Sequence, residues 1–164
     1  MYDNLTAIEA IGLGIRSEED AAEFYGSISK KMKNALVKSR FESLARDEMG
    51  HRKLLVDLYK KSTGEDVPSS KIPGQPQTAE QGGVAIDIDS MEEVIKYAIT
   101  RENDAEKFYR KIAEKSKDIS GKRTFEYLAE IEHGHGAMLE TELEIYLKDR
   151  DWYADNPDIQ LVGP

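Results

Sequence analysis

The stretch FESLARDEMGH at residues 41–51 returns as FEYLAEIEHGH at residues 125–135, 84 positions further along the chain. Both copies end in a Glu-x-x-His pair. Residues three apart are neighbours on one face of a helix, so each pair presents a carboxylate and an imidazole side by side. The pairs are Glu48 with His51 and Glu132 with His135. The stretch therefore predicts two related helices that offer metal-binding side chains.

A second repeat, shifted by the same 84 positions, precedes each of these helices. It reads Ile-Gly/Ala-Glu-Ala-Tyr-Ile at spacings of three and four, which is typical of the face that a helix buries in a bundle. The two copies are Ile11, Gly14, Glu18, Ala21, Tyr25 and Ile28, and Ile95, Ala98, Glu102, Ala105, Tyr109 and Ile112. A whole helical hairpin is thus duplicated, and two such hairpins back to back make a four-helix bundle with a pseudo-twofold axis.

Local signals set the predicted helix ends. The expected ranges are about Leu5 to Lys33, about Val37 to Ser62, a third helix that opens at Ser90, and a fourth from about Ser120 to Lys148. Gly64 is a stop signal for the second helix. Ser90 followed by Glu93 resembles a capping box, and Ser120 is the predicted N-cap of the fourth helix. The inward faces of the second and fourth helices are predicted to be Phe41, Leu44, Glu48, His51, Leu55 and Leu58, and Phe125, Leu128, Glu132, His135 and Leu139.

The segment between the hairpins, about 64–89, is rich in Gly, Pro, Ser and Gln. Loops longer than ~12–15 residues are uncommon inside a compact domain. A crossover explains this length, because a chain joining two parallel helices must travel the whole bundle. The same segment could instead carry one hairpin onto a second subunit. On the crossover interpretation, Ile86 and Ile88 are expected to pack on the bundle in passing.

The sequence predicts a bundle domain over residues 1–149 and a non-helical, extended tail over 150–164. Trp152 and Tyr153 are expected to dock on the bundle or on a partner. With a net charge of −9 the chain lacks the basic surface that nucleic acid or an anionic membrane requires. The absence of cysteine excludes disulfides, thiolate zinc sites and iron–sulfur clusters from these residues. There is no long apolar run and no sign of a signal peptide, so we expect a soluble, cytoplasmic protein.

Four glutamates on the inward faces would repel one another at one level of the bundle. Two divalent cations carry four positive charges and would match four carboxylates, with the imidazoles neutral. The predicted ligands are Glu18, Glu48, His51, Glu102, Glu132 and His135. Oxygen and imidazole donors favour iron or manganese; zinc would leave only hydrolytic or structural roles. The competing interpretation is a buried ion network, but the inward faces offer no Lys or Arg at neighbouring positions.

Three further residues bear on this centre. Tyr25 and Tyr109 each follow a predicted ligand glutamate by seven residues, two turns along the same face. Their hydroxyls are predicted to hydrogen-bond ligand carboxylates, with two ordinary core tyrosines as the alternative. His133 points away from the inward face, and we expect it to be exposed rather than a ligand.

The two hairpins, each with Glu-x6-Tyr and Glu-x-x-His, resemble the ferritin-like di-iron carboxylate proteins, and among them the rubrerythrin or erythrin group. The resemblance spans about residues 5–148 and implies an all-α, ferritin-like bundle that binds two iron ions through the same six residues. Rubrerythrins usually add a cysteine-rich rubredoxin domain, which this sequence lacks, so electrons would come from an external donor protein. They also carry a further glutamate where this chain has Ala105. The six remaining ligands are similar to those of bacterioferritin.

These features favour a di-iron oxidoreductase that reacts with hydrogen peroxide or dioxygen and has no catalytic residue beyond the metal ligands. The alternative is a ferroxidase that stores or transfers iron. A bundle that binds metal for structure alone is a third possibility. We expect a homo-oligomer, with a dimer favoured.

Overall fold

The computed structural model describes residues 5–68 and 90–154, and within these ranges the chain forms helices and no strand. The helices are α1 (Ala7–Lys31), α2 (Ala35–Thr63), α3 (Met91–Lys115), α4 (Ile119–Lys148) and α5 (Arg150–Ala154). The all-α fold class and the four long helices of the duplicated hairpins are confirmed. None of the described helices is both long enough and apolar enough to cross a membrane.

The ends of α2 and α3 follow the predicted signals. Gly64 ends α2 with a left-handed backbone at φ 76°, a conformation that favours glycine. Ser90 caps α3, and its Oγ accepts a hydrogen bond from the Glu93 amide at 3.4 Å. These local interactions fix where each long helix meets a loop.

The predicted N-cap of α4 was wrong. Asp118 caps this helix through Oδ2, which accepts a hydrogen bond from the Gly121 amide at 2.6 Å, and Ser120 lies inside the first turn. Aspartate is as good an N-cap as serine, and its charge also favours the helix N-terminus. Starting at Asp118 therefore lengthens the helix, and the Asp118 carboxylate satisfies the Gly121 N–H.

Side-chain contacts fix the helix directions. Tyr25 of α1 donates a hydrogen bond to Glu102 of α3, and Tyr109 of α3 donates one to Glu18 of α1, so these helices run antiparallel. Within each hairpin the two helices are antiparallel as well. It follows that α2 and α3 are parallel, so α2 ends and α3 begins at opposite ends of the bundle. Residues 69–89 lie outside the described ranges, so the packing expected of Ile86 and Ile88 stays a prediction.

Two apolar clusters fill the bundle, one on each side of a polar layer. Cluster I contains Ile11, Ile15, Leu55, Leu58, Tyr109, Ile112, Phe125 and Leu128 with their neighbours. Cluster II contains Tyr25, Ile28, Phe41, Leu44, Ile95, Ala98, Leu139 and Tyr153 with theirs. Every predicted inward residue is buried except Ala105, which is half-buried against cluster I. The four predicted ligand glutamates lie between the clusters.

The start of the predicted tail is helical rather than extended. Residues 150–154 form α5, which packs on cluster II through the buried Tyr153. The Asn34 side-chain amide donates a hydrogen bond to the Trp152 carbonyl at 2.7 Å, and Arg150 pairs with Glu92 at 2.9 Å. The short helix is therefore held by tertiary contacts. The predicted docking of Trp152 and Tyr153 on the bundle is confirmed. Residues 155–164 lie outside the described ranges.

Candidate metal centre

The structure brings all six predicted ligands to the layer between the two clusters. They form two overlapping groups, and the donor atoms within each group lie within 4.8 Å of one another. The groups are Glu18, Glu48, His51 and Glu132, and Glu48, Glu102, Glu132 and His135. Glu48 and Glu132 belong to both groups. The arrangement provides two adjacent positions for cations, with two shared carboxylates.

Each helix of the bundle contributes to this layer. Glu18 comes from α1, Glu102 from α3, and each Glu-x-x-His pair from α2 or α4. None of the six residues is more than 9% exposed. Helical spacing places each glutamate at an inward position, where the neighbouring turns carry apolar residues, and the packing of the helices brings these positions together.

The imidazoles lie between the shared carboxylates. Nδ1 of His51 lies 3.1 Å from Glu48 Oε2 and 3.1 Å from Glu132 Oε1. Nδ1 of His135 lies 3.3 Å from Glu48 Oε1 and 3.4 Å from Glu132 Oε2. Each shared carboxylate thus turns one oxygen toward each imidazole. This is the disposition expected of carboxylates that bridge two ions, each ion also bound by one imidazole.

The terminal carboxylates distinguish the two positions. Glu18 Oε2 lies 3.6 Å from the Nδ1 atom of His51, and Glu102 Oε2 lies 3.7 Å from that of His135. The imidazole rings stack with their centroids 5.5 Å apart and their planes inclined by 24°. One position is therefore lined by α1 and α2, the other by α3 and α4, and the bridging carboxylates join them.

Several buried donor atoms of the layer have no hydrogen-bond partner within the described residues. They are Oε1 of Glu48, both carboxylate oxygens of Glu132 and Nδ1 of His135. A buried polar atom without a well-aligned hydrogen bond is costly, and these atoms have in its place the ion-pair contacts between the carboxylates and the imidazoles. These atoms point into the same small volume, and carboxylate oxygen with imidazole nitrogen is a donor set for iron, manganese or zinc. The layer accordingly fits two metal ions.

Without metal, the imidazoles take the place of the cations. Burial opposes protonation of His51, but the carboxylates of Glu132, Glu18 and Glu48 outweigh it and raise the pKa of the imidazole to about 12. The same balance at His135, with Glu102, Glu132 and Glu48 as neighbours, raises its pKa to about 12. Both imidazoles are therefore imidazolium ions at neutral pH in the metal-free protein.

The terminal carboxylates are harder to ionise than usual. Burial raises the pKa of Glu18 to about 8, although the contact with His51 works in the opposite direction. Burial also raises the pKa of Glu102. At Glu132 burial is again unfavourable, but the imidazoles of His135 and His51 outweigh it, and the pKa is lowered. Without metal, the four carboxylates of the layer carry more negative charge than the two imidazolium ions neutralise. A proton on Glu18 removes part of the excess.

Two buried tyrosines complete the layer, and each bonds a terminal carboxylate of the other hairpin. Tyr25 donates its hydrogen bond to Glu102, and Tyr109 donates to Glu18. Burial, followed by the nearby carboxylate charge, raises the pKa of both phenols well above the usual value. The phenols stay protonated and donate to Glu102 and Glu18, which fixes one oxygen of each terminal carboxylate.

The structure places His133 away from the layer: it is mostly exposed, and its Nδ1 lies 3.2 Å from Glu106. Sequence reasoning missed Asp47, whose Oδ2 lies 3.7 Å from Nε2 of His135. Its position, one residue before Glu48, was the available signal. A partner for a metal-binding imidazole is expected from chemistry, but only the packing of α2 on α4 reveals which residue comes close.

Comparison with known proteins agrees with this centre. The sequence profile of the family described as Rubrerythrin matches residues 9–143. No curated protein sequence matches the chain. A hypothetical protein from Pyrococcus furiosus has a similar structure, with a TM-score of 0.71 and 28% identity over 88% of this chain and 92% of that one.

Two solved structures of lower identity share the fold. Bacterioferritin from Rhodobacter capsulatus, described with a metal-free dinuclear site and heme iron, has a TM-score of 0.73 and 21% identity, with both chains covered completely. KatB, a manganese catalase from Anabaena, has a TM-score of 0.70 and 20% identity over 98% of this chain and 81% of that one. With the family profile matching most of its length, the chain belongs to the rubrerythrin family, and the buried carboxylate–imidazole layer of its ferritin-like bundle is a dinuclear metal site.

Proposed function

We propose that the protein is an oxidoreductase that holds two iron ions in this layer and reacts with hydrogen peroxide or dioxygen. The observation that carries the proposal is the pair of overlapping donor groups that share Glu48 and Glu132. The ligands would be Glu48 and Glu132 as bridges, with Glu18 and His51 at one ion and Glu102 and His135 at the other. Two adjacent ions suit a two-electron reaction at an O–O bond.

Bound ferrous ions would each supply one electron. Two electrons and two protons reduce one hydrogen peroxide molecule to two water molecules. The two bridging carboxylates would be the part of the chain that adapts to a change of metal charge. Within the described residues, neither oxygen of Glu132 has a hydrogen bond, and the carboxylate of Glu48 has one, between Oε2 and His51. The terminal carboxylates are held by Tyr25 and Tyr109 and would keep their orientation.

The surroundings favour a dry, fixed site. Clusters I and II lie on either side of the layer, and none of the six proposed ligands is more than 9% exposed. Because the phenols of Tyr25 and Tyr109 keep their protons, the protons consumed would come from water rather than from these side chains. The 164 residues contain no cysteine and so no thiolate-bound redox centre. We therefore infer that a separate protein supplies the electrons, and we place both proteins in the cytoplasm.

Anaerobic loading tests the proposal. Metal-free protein is loaded with two equivalents of ferrous ion, peroxide is added, and the ferric absorbance is followed by stopped flow. We expect oxidation much faster than that of the same iron in buffer, with about one peroxide consumed per two ions. Iron that stays ferrous, or oxidises at the rate of free iron, contradicts the proposal.

Paired variants supply the control for this experiment. Glu48→Gln with Glu132→Gln removes both bridging charges, and we expect it to abolish the fast phase. Glu42→Gln with Glu126→Gln makes the same change at the related positions one residue after Phe41 and Phe125, on the same two helices. The fast phase should survive in that control.

Iron oxidation coupled to storage is the second candidate. It is favoured by Ala105, which stands where the rubrerythrin resemblance calls for a further glutamate and leaves six ligands. The solution mass discriminates between the two functions. A large shell that retains many irons per chain supports storage, whereas a dimer with two ions per chain supports the oxidoreductase.

A further inference from the structure

The two halves of the metal layer are related by the 84-residue repeat, but their surroundings differ. All six proposed ligands and both tyrosines have a counterpart of the same type 84 positions away. Asp47 does not, because its counterpart is Ile131. A carboxylate on one side is thus replaced by a hydrocarbon side chain on the other.

Asp47 lies against the outer nitrogen of one proposed ligand. Its Oδ2 is 3.7 Å from Nε2 of His135, an ion-pair contact, while Nδ1 of the same ring faces the shared carboxylates. The aspartate is half-exposed, and it reaches His135 from α2, across the interface with α4. Within the described ranges, the ion pairs of His51 all involve Nδ1.

We propose that Asp47 is a positioning residue that makes the two metal positions inequivalent, so that the position of Glu102 and His135 binds a divalent ion more tightly. The negative charge of Asp47 favours a proton on Nε2 of His135. That tautomer leaves the Nδ1 lone pair directed at the metal position. Ile131 can do neither for His51, so the position of Glu18 and His51 is the weaker one. The inference rests on the proposed metal centre and adds an order of filling.

Unequal positions would fill one after the other. Removing an outer-shell partner of a metal-binding histidine typically costs about 10–100-fold in metal affinity. A difference of that size separates two binding steps in a titration. It also means that, at limiting iron, most chains hold a single ion and lack the second electron.

Reciprocal substitutions test the proposal, with Co²⁺ as the probe. Titration of metal-free protein against a competing chelator, followed by cobalt absorbance, gives both dissociation constants. In the unmodified protein we expect two steps about 10–100-fold apart. Asp47→Ile copies the other half and should weaken the tighter step until the two merge. Ile131→Asp should strengthen the weaker step by a similar factor.

The control is Asp57→Asn, which removes the same charge from an exposed position of α2 further from the layer. It should leave both constants within about twofold, since a distant exposed charge is screened. In zinc-loaded protein, the ¹⁵N shifts of the two imidazoles give a second readout, and Asp47→Ile should move the His135 signals more than those of His51. Circular dichroism checks that each variant is folded.

The outcomes separate this inference from the proposed function. Two ions that bind in the unmodified protein with affinities unchanged by Asp47→Ile and Ile131→Asp overturn the inference and leave the metal centre standing. Equal changes in both steps, matched by Asp57→Asn, show a general charge effect and also overturn it. A protein that takes up no cobalt overturns both the inference and the proposed centre.

Discussion

Metal binding should expel protons from this protein, because part of its buried layer is protonated at neutral pH when no metal is bound. At pH 7 the metal-free layer holds one proton on Glu18, whose pKa is about 8, and an extra proton on each of His51 and His135, whose pKa values are about 12. Metal ligands must be deprotonated. Binding of two divalent ions should therefore release about three protons per chain from these groups, and more if Glu102, whose pKa is also raised, holds a proton as well.

This release makes metal affinity steeply dependent on pH. Each proton released raises the binding constant tenfold per pH unit, about 1.4 kcal/mol. With about three protons, the overall constant for two ions should rise about a thousandfold, or about 4 kcal/mol, between pH 6 and pH 7. The rise should become shallower above pH 8, where Glu18 ionises in the metal-free protein as well.

Isothermal titration calorimetry with Mn²⁺ measures this directly. The observed heat is recorded in buffers of different ionisation enthalpy, and its slope against that enthalpy is the number of protons released. Glu18→Gln is the matched variant, since it removes one titrating group of the layer and should lower the count by about one. Two manganese ions bound with no proton release would refute the account of a layer held together by imidazolium ions.

Three further predictions concern stability. Tyr109→Phe removes the hydroxyl that donates to Glu18 and should lower the free energy of unfolding in urea by about 1–3 kcal/mol. Tyr127→Phe, at an exposed position, should leave it almost unchanged. Equal losses in the two variants would contradict the role of the buried hydrogen bond. Gly14→Ala should lower the free energy of unfolding by about 1–3 kcal/mol, because the added Cβ would lie 2.9 Å from Leu55 Cδ1 and 3.2 Å from the Tyr109 hydroxyl. Gly26→Ala, where the added Cβ meets open space, should raise it by up to about 1 kcal/mol. No change in stability for Gly14→Ala would show that the close approach is not tight. The metal-free protein should lose stability as pH rises from 7 to 9, by about 1–3 kcal/mol per pH unit. Folding raises the pKa values of His51 and His135 from 6.5 to about 12, so their contribution to stability is complete below pH 6.5 and is lost toward pH 12. Melting temperatures that stay flat or rise across this range would be the contrary result.

The bundle and its buried layer are predictable from sequence because helical spacing carries both. An inward glutamate such as Glu18 stands in register with Ile11 and Ile28, and the repeat 84 residues later doubles the signal. Caps are less certain. Asp118 and Ser120 are both good N-caps two residues apart, and the choice between them depends on small local differences.

What depends on packing between helices was not predictable. Spacing along α1 puts Tyr25 on the same face as Glu18, yet its hydrogen bond goes to Glu102 of the other hairpin. Helix α5 has only five residues, too few for a periodic pattern, and its contacts with Asn34 and cluster II exist only in the folded bundle. The approach of Asp47 to His135 belongs to the same class.

The central claim is that buried carboxylates are tolerated in this bundle because two cations neutralise them. Elemental analysis after metal-free protein is reconstituted with excess Fe²⁺, under anaerobic conditions and with unbound metal removed, tests it most directly. We expect two ions per chain, a higher melting temperature than that of the metal-free protein, and no retained metal in Glu48→Gln with Glu132→Gln. A reconstituted protein that holds no metal, yet melts at the same temperature as before, would contradict the claim.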